Sequence, residues 1–135
     1  MVQMEVLTRD ITPETPMINF NPTNGLMELK GRSIPYDSDS FWLPILSWFE
    51  SYMLSPKEKT TFKFSLEYFN ISSSKRILFL LYKLNELVEK GLAVKVLWEY
   101  RTEDEDMYEV GQDYAYMVKV PFDFVELKEP EVVLT

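Results

Sequence analysis

The residues of this chain whose types and spacing could support chemistry are three consecutive hydroxyls, Ser72, Ser73 and Ser74. They follow Asn70 and Ile71 and precede a long segment of helical apolar period, so they lie at a predicted junction of strand and helix. Three hydroxyls at such a junction predict that at least one is the N-cap and accepts a hydrogen bond from an unpaired backbone amide, which by itself is a purely structural role. A phosphate at this position would instead meet free amides and the positive end of the helix dipole. From these residues alone, both interpretations remain open.

Two cations, Lys75 and Arg76, follow directly in the first turn of the predicted helix. A positive charge at this end of a helix opposes the helix dipole and is mildly destabilising. The two side chains could therefore serve an acidic partner or a phosphate, or they could be solvated surface cations.

The second candidate site is the acidic run from Glu103 to Asp106. Its carboxylates are potential ligands of hard cations, and a pair such as Asp104 and Asp106 could in principle perform acid–base catalysis. Successive carboxylates on a helix point in different directions, however, and do not converge on one ion. The run is more typical of a first helical turn after Thr102, where negative charge faces the positive end of the dipole. We therefore predict no metal, no cofactor and no catalytic residue in this chain.

Composition excludes much of the remaining chemistry. The chain has 135 residues, no Cys, no His and a net charge of −8. Thiolate nucleophiles, disulfides and imidazole bases or ligands are thus absent. The acidic balance disfavours nucleic acid as a partner, and no apolar run approaches the roughly 18 residues that span a bilayer. We expect a cytoplasmic protein, and with 46% hydrophobic residues the chain is able to bury a core.

The segments that must position these residues alternate between strands and helices. Apolar residues alternate on either side of the turn signal Thr23-Asn24-Gly25, which predicts a hairpin of residues 17–21 with a strand around 27–30. Residues 31–39 are expected to form a loop. The remaining predicted elements are a helix capped by Ser40 and ending near 54, a strand over 60–69, a helix over 72–90 stopped by Gly91, a strand over 93–100, a third helix over 103–114 and an edge strand within 116–127.

This order predicts an α/β fold. Strand, helix and strand joined by short links form a parallel pair with a right-handed crossover. In the strand over 60–69, alternation places Phe62, Phe64, Leu66 and Tyr68 on one face and Lys63, Ser65 and Glu67 on the other. Because each strand has one apolar and one polar face, helices should cover mainly one side. We expect two layers, with a mixed sheet of four to five strands and about three helices, and a core that includes Phe64, Leu66, Ile77, Leu81, Leu84, Val94 and Val96.

Both main helices carry apolar residues outside their predicted buried stripes. In the first helix, Trp42 and Leu46 lie beside the stripe formed by Phe41, Ile45, Trp48, Phe49 and Tyr52. In the second, Leu78, Phe79 and Tyr82 lie outside the stripe. Burial accounts for most of these residues, and any remainder would favour a docking surface, because aromatic residues are enriched at interfaces.

Several blocks of the sequence, in register over residues 16–126, resemble the SiaC-type regulatory phosphoproteins of bacteria. The matching blocks are Ile18-Asn19-Phe20-Asn21-Pro22, Gly25, Leu29-Lys30-Gly31-Arg32-Ser33-Ile34-Pro35, Pro44, Leu66-Glu67-Tyr68-Phe69-Asn70, Ser72-Ser73-Ser74-Lys75, Asp104-Glu105-Asp106-Met107, Gly111, Asp113-Tyr114 and Pro121-Phe122. The resemblance implies a STAS-like fold, like that of anti-sigma-factor antagonists. We expect a single STAS-like domain over residues 1–135, with a core at about 16–127 between extended tails at 1–15 and 128–135.

The resemblance also implies a function. Proteins of this type are non-enzymatic partner switches in cyclic-di-GMP signalling. A protein kinase and a phosphatase set their phosphorylation, and the unmodified form binds and activates a diguanylate cyclase or a comparable effector. The expected partner-binding residues are Tyr68, Asn70, Ser74, Lys75, Arg76 and Phe79. The alternative is a small-molecule or nucleotide-binding module of the same fold.

One departure from the family pattern affects the phosphorylation site. The residue after Asn70 is a phosphorylatable threonine in the family, whereas this chain has Ile71, which carries no oxygen. Either Ser72 or Ser73 takes the role, or the chain is a permanently unmodified member. We favour the second interpretation, because an acceptor shifted by one residue at a helix start points in a different direction.

Overall fold

The computed structural model describes residues 4–128, and within them the chain forms six strands and three helices. The elements in chain order are β1 (Leu7–Arg9), β2 (Met17–Asn21), β3 (Leu26–Ser33), α1 (Ser38–Tyr52), β4 (Lys59–Phe69), α2 (Ile71–Glu89), β5 (Ala93–Arg101), α3 (Glu105–Met117) and β6 (Phe122–Leu127). No helix of the described part is long and apolar enough to cross a membrane.

The strands form one mixed sheet in which the spatial order is the same as the chain order. β1, β2 and β3 are antiparallel, whereas β3 to β6 are parallel and are joined by α1, α2 and α3 in turn. The predicted hairpin between β2 and β3 is confirmed. Gly25 closes it with a φ of 72°, and a Cβ at this position would lie 2.3 Å from the Lys59 carbonyl oxygen, so only glycine fits.

The helices pack on one face of the sheet and bury its apolar side chains. Two-residue alternation along β4 places Phe62, Phe64 and Leu66 in this core, against the buried faces of α1 and α2. The seven predicted core residues are all buried. The predicted fold class is therefore confirmed, with six strands rather than four or five.

The opposite face of the sheet carries ion pairs that link neighbouring strands. Lys63 Nζ lies 3.2 Å from Glu99 and 3.8 Å from Glu28, so one ammonium connects β3, β4 and β5. Further along, Lys95 contacts Asp123, and Arg101 contacts Glu67. This open face is charged and solvated, as the alternating strands predicted.

A β-bulge in β4 overturns the prediction that Tyr68 shares the buried face with Phe62, Phe64 and Leu66. Gly31 pairs with Leu66 and Arg32 pairs with Tyr68, which leaves Glu67 as an extra residue. One extra residue reverses the alternation. Phe69 therefore packs against Trp98 in the core, and Tyr68 lies on the open face, 54% exposed.

The start of α1 also differs from the prediction. β3 continues to Ser33, and the helix begins at Ser38, with Asp37 rather than Ser40 as its N-cap. The Asp37 carboxylate accepts hydrogen bonds from the Ser40 amide at 3.1 Å and from the Ser40 hydroxyl at 2.8 Å. Pro44 therefore lies inside the helix rather than in its first turn.

The buried stripe of α1 is rotated relative to the predicted one. It consists of Trp42, Ile45, Leu46, Phe49 and Tyr52, whereas Phe41 and Trp48 are only half-buried. Trp42 and Leu46 thus belong to the core.

The sixth strand comes from the predicted N-terminal tail. Leu7, Thr8 and Arg9 pair with Phe20, Asn19 and Ile18 of β2 and so form an edge strand. The predicted C-terminal tail lies, apart from Lys128, outside the described residues.

Candidate functional site

The candidate site lies where the carboxyl ends of β3 and β4 meet the starts of α1 and α2. Parallel strands place these ends at one edge of the sheet, called here the carboxyl edge, which is where α/β sheets commonly expose their sites. The Asn70 amide donates to the Ser33 carbonyl oxygen at 3.0 Å, so the two connections leave the sheet side by side.

The cap of α2 is Asn70 rather than one of the three serines, which corrects the prediction from their position. The Asn70 side-chain oxygen accepts the Ser73 amide at 2.9 Å, and the extended backbone of Asn70 (ψ 176°) is typical of an N-cap. The helix consequently begins at Ile71, one residue earlier than predicted. Residues 70–74 are called the serine turn below.

The three serines of this turn each bind a different neighbouring element. Ser72 Oγ forms a hydrogen bond with Ser38 Oγ at the start of α1. Ser73 Oγ bonds to Ser33 at the end of β3, and Ser74 Oγ bonds to the Tyr114 hydroxyl of α3 at 2.9 Å. Consecutive residues of a helix point in directions about 100° apart, which explains why the three hydroxyls reach three different partners.

Ser73 is completely buried and its hydroxyl is fully used. It donates to the Ser33 carbonyl oxygen at 2.9 Å and lies 2.7 Å from the Ser33 hydroxyl. The indole N–H of Trp42 donates to the Ser73 hydroxyl oxygen at 3.4 Å. A serine rather than an apolar residue is required here, because these buried donors would otherwise be left unpaired.

Tyr114 holds the serine turn from the side of α3. Its hydroxyl donates to the Ser74 carbonyl oxygen at 3.0 Å and accepts from the Ser74 hydroxyl. Burial raises the pKa of the Tyr114 phenol, and the hydrogen bond from Ser74 lowers it by less. The phenol is therefore neutral at physiological pH and available as a donor.

Ile71 is the residue of the turn whose side chain projects into solvent, with 78% of its surface exposed. It occupies the first helical position, next to the free amides of the helix start. The first turn of α2 contains no acidic residue, whereas α1 has Asp39 and α3 has Glu105 and Asp106 in this position. The positive end of the α2 dipole is thus without a neutralising carboxylate in its own first turn.

The remaining predicted partner-binding residues lie in two different places. Arg76 forms an ion pair with Asp39 of α1, and Lys75 is exposed. Both line a groove of about 480 Å³ between α1 and α2, together with Phe79, Leu43, Leu46, Ser47 and Glu50. Tyr68, by contrast, faces the opposite side of the sheet.

The acidic run forms the start of α3. Asp104 is the N-cap and accepts the Met107 amide at 3.0 Å, while Glu105 and Asp106 lie in the first turn. Across residues 4–128, no three carboxylates converge as the ligands of a metal ion would. This arrangement matches the helix-capping interpretation, with the cap two residues later than Thr102.

Sequence reasoning did not identify several residues that hold the turn, namely Ser33, Ser38, Trp42 and Tyr114. They come from three other elements, β3, α1 and α3, and each bonds the turn across at least 30 positions of sequence. A single sequence gives no signal for such pairs, because the three-dimensional structure alone brings them together.

The fold and the site define a two-layer α/β domain that presents a hydroxyl-rich strand–helix turn at its carboxyl edge. Residues 9–127 match the SiaC family of regulatory phosphoproteins. The match covers most of the chain, and the protein therefore belongs to the SiaC family.

Comparison with individual proteins agrees with this assignment. An uncharacterized protein of Pseudomonas aeruginosa (strain UCBPP-PA14) is 25% identical over 111 residues, which cover 82% of this chain and 88% of that protein. The crystal structure of apo-SiaC from P. aeruginosa superposes with a TM-score of 0.83 at 24% identity, covering 90% of this chain and 99% of that one.

A second solved structure is the diguanylate cyclase SiaD in complex with its activator SiaC, also from P. aeruginosa. The matching chain has a TM-score of 0.85 and 24% identity and covers 90% of this chain and 99% of its own length. At this level of identity, the likeness shows that the folds are the same.

Proposed function

We propose that this protein is a non-enzymatic partner switch that binds and activates a diguanylate cyclase or a comparable effector. The SiaC of P. aeruginosa is the activator of such a cyclase, and this chain shares its family and fold. A cytoplasmic location, with a protein kinase and a phosphatase as further partners, belongs to the same proposal.

The observation that carries the proposal is the position of residue 71. Its side chain is exposed at the start of α2, where backbone amides and an uncompensated dipole favour an added negative charge. A phosphoryl group there would add about −1.5 to −2 charges without displacing a buried contact. The fold thus provides a suitable place for a regulatory phosphate.

The residue at this place is an isoleucine, and we propose that the chain remains in the unmodified, effector-binding state. Ser73 is an unsuitable substitute acceptor, because its oxygen is buried among Ser33 and Trp42. Ser72 is half-buried and bonded to Ser38, so its modification would separate the starts of α1 and α2. Ser74 bonds to Tyr114 and presents the same difficulty.

The first experiment tests effector activation. Each purified diguanylate cyclase of the source organism is assayed for cyclic-di-GMP production with and without this protein. We expect one of them to be activated by the protein as isolated, without a kinase. If none is activated and calorimetry shows that the protein binds nucleotides instead, the nucleotide-binding alternative is favoured.

The second experiment restores an acceptor with Ile71→Thr. After incubation with ATP and a cell lysate of the source organism, we expect the variant to carry one phosphate at position 71 and to lose cyclase activation. Ile71→Val is the matched control, because valine has nearly the shape of threonine without its oxygen. Stoichiometric phosphorylation of Ser72 in the unmutated protein, with loss of activation, would contradict a permanently unmodified state.

A further inference from the structure

The connection between β3 and α1 exposes an aromatic side chain beside the serine turn. Tyr36 is fully solvent-exposed, with a relative accessibility of 101%. A tyrosine held away from the protein surface gains nothing from packing in the free protein. Tyrosine is also among the residues most enriched at the energetic centres of protein interfaces.

The backbone on both sides of Tyr36 is fixed. On one side, the Ile34 amide donates to the Glu14 carbonyl oxygen at 2.8 Å, and Pro35 is buried. On the other side, Asp37 caps α1 through its bonds to Ser40. Because the backbone is already fixed, binding through Tyr36 costs the rotamer freedom of the side chain but little ordering of the loop, and this favours affinity.

The connection that carries Tyr36 is also tied to the serine turn. Ser38, two residues after Tyr36, bonds to Ser72, one residue after Ile71. The two backbones are joined again where the Asn70 amide donates to Ser33. Tyr36 and Ile71 are therefore two large exposed side chains on adjacent connections that are hydrogen-bonded to each other.

We propose that Tyr36 and Ile71 together form the recognition surface for the effector, with Tyr36 as its aromatic anchor. This inference rests on the proposed function and adds a residue outside the turn to it. Because the surface spans both connections, an effector would sense the state of position 71 and the position of α1 at once.

The charges beside this surface indicate the kind of protein that fits it. Asp37 follows Tyr36 directly and is exposed at the start of α1, whereas Asp39 is paired with Arg76, and the whole chain carries a net charge of −8. The complementary surface is an apolar pocket for the two side chains, with lysine or arginine at its rim. A phosphoryl group at position 71 would leave such a pocket, because an apolar cavity does not solvate a dianion.

The test uses the diguanylate cyclase that the unmutated protein activates. Tyr36→Ala is titrated into the cyclase, and we expect the concentration for half-maximal activation to rise about tenfold or more, as at an interface anchor. Tyr36→Phe should retain activation, because it keeps the ring. Tyr116→Ala is the matched control, since Tyr116 is 96% exposed but lies on α3.

Two outcomes would overturn the inference while leaving the proposed function intact. One is that Tyr36→Ala activates the cyclase like the unmutated protein. The other is that Tyr116→Ala weakens activation as much as Tyr36→Ala does. Failure of the unmutated protein to activate any cyclase would instead remove the proposed function, so the two failures are distinguishable. A calorimetric titration of the same variants, which measures binding directly, should give the same order.

Discussion

The starts of α2 and α3 lie at the same edge of the sheet but have opposite chemistry. The start of α2 has no acidic residue, and each of its three serine hydroxyls bonds to another element. The start of α3 is acidic, and its cap Asp104 bonds within its own helix. The helices also differ in depth, because α2 buries six residues and α3 buries three.

This difference concerns how each helix start would respond to an added negative charge. At α3, carboxylates already occupy the positive end of the dipole, so an added phosphate would meet repulsion. At α2, the hydroxyls fix the backbone without adding charge, and the place for an anion remains available. A helix start that has no carboxylate and is fixed by hydroxyls would therefore accept an added negative charge without a change of fold.

The largest effect should come from removing a core anchor of α2. Leu84 is completely buried, and Leu84→Ala should lower the free energy of unfolding by about 2–5 kcal/mol. Met107→Ala in α3 should reduce the free energy of unfolding by less, because Met107 is 7% exposed and its side chain is flexible. Chemical denaturation measures both changes. An unchanged midpoint for Leu84→Ala would show that α2 is not the more deeply anchored helix.

A smaller loss is expected when the buried hydroxyl of the serine turn is removed. Ser73→Ala leaves the Ser33 hydroxyl and the Trp42 indole without their partner, which should cost about 1–3 kcal/mol. Ser72→Ala should cost less, because Ser72 is half-buried and water can replace its bond. Equal losses of stability for Ser73→Ala and Ser72→Ala would mean that burial does not determine how much each hydroxyl contributes.

Tyr114→Phe removes the hydrogen bonds between Tyr114 of α3 and Ser74 of α2, and it should lower the free energy of unfolding by about 0.5–1.5 kcal/mol at neutral pH. It should also change the pH dependence. The pKa of Tyr114 is raised in the folded protein, so its contribution is complete below pH 10 and is lost as the pH rises through the folded-state pKa. Urea denaturation between neutral and strongly alkaline pH should show a smaller alkaline loss for the variant. If the variant lost as much stability at alkaline pH as the unmutated protein, the pKa of Tyr114 would not be raised in the folded state.

The smallest effects should come from exchanging charge between the two helix starts. Glu105→Gln removes a carboxylate from α3 and should destabilise, whereas Ile71→Glu adds one to α2 and should stabilise, each by about 0.3–1 kcal/mol. Thermal melts at low and high salt measure both, since salt screens interactions between exposed charges.

One result would contradict the expectation for the α2 dipole, and another would contradict the prediction that the acidic run binds no metal. Destabilisation by Ile71→Glu would show that the α2 dipole is already compensated by other groups. A large melting shift on adding micromolar divalent ions would show that the acidic run binds a metal, and a chelator should otherwise leave the melts unchanged.

The sequence predicted the elements well because their signals are local. Alternation along β4 and the apolar stripe of α2 gave the core, and Gly25 gave the hairpin turn. The predicted orientation of Tyr68 and the predicted buried stripe of α1 were wrong, each for a physical reason. A bulge reverses alternation without a residue that marks it. The first helix is apolar over more than one face, so its period alone does not decide which of its apolar residues face the sheet.

The candidate site was predicted only in part. The serine turn was found from its position after a parallel strand, and Ile71 was noticed because it departs from the family pattern. The roles of the serines were not found, because a hydroxyl that caps a helix and one that bonds a distant strand look the same in sequence. Tyr36 was missed for a related reason, since exposure of one tyrosine depends on how its loop leaves the sheet.

The agreement between strand order and chain order has a consequence for how the protein folds. Each strand after the first pairs with the one synthesised just before it, so no strand waits for a later segment to be inserted beside it. The growing chain can therefore add one strand and its covering helix at a time as it leaves the ribosome. Mutations in β2 and β3 should then slow folding more than equally destabilising mutations in β6, which would mainly speed unfolding.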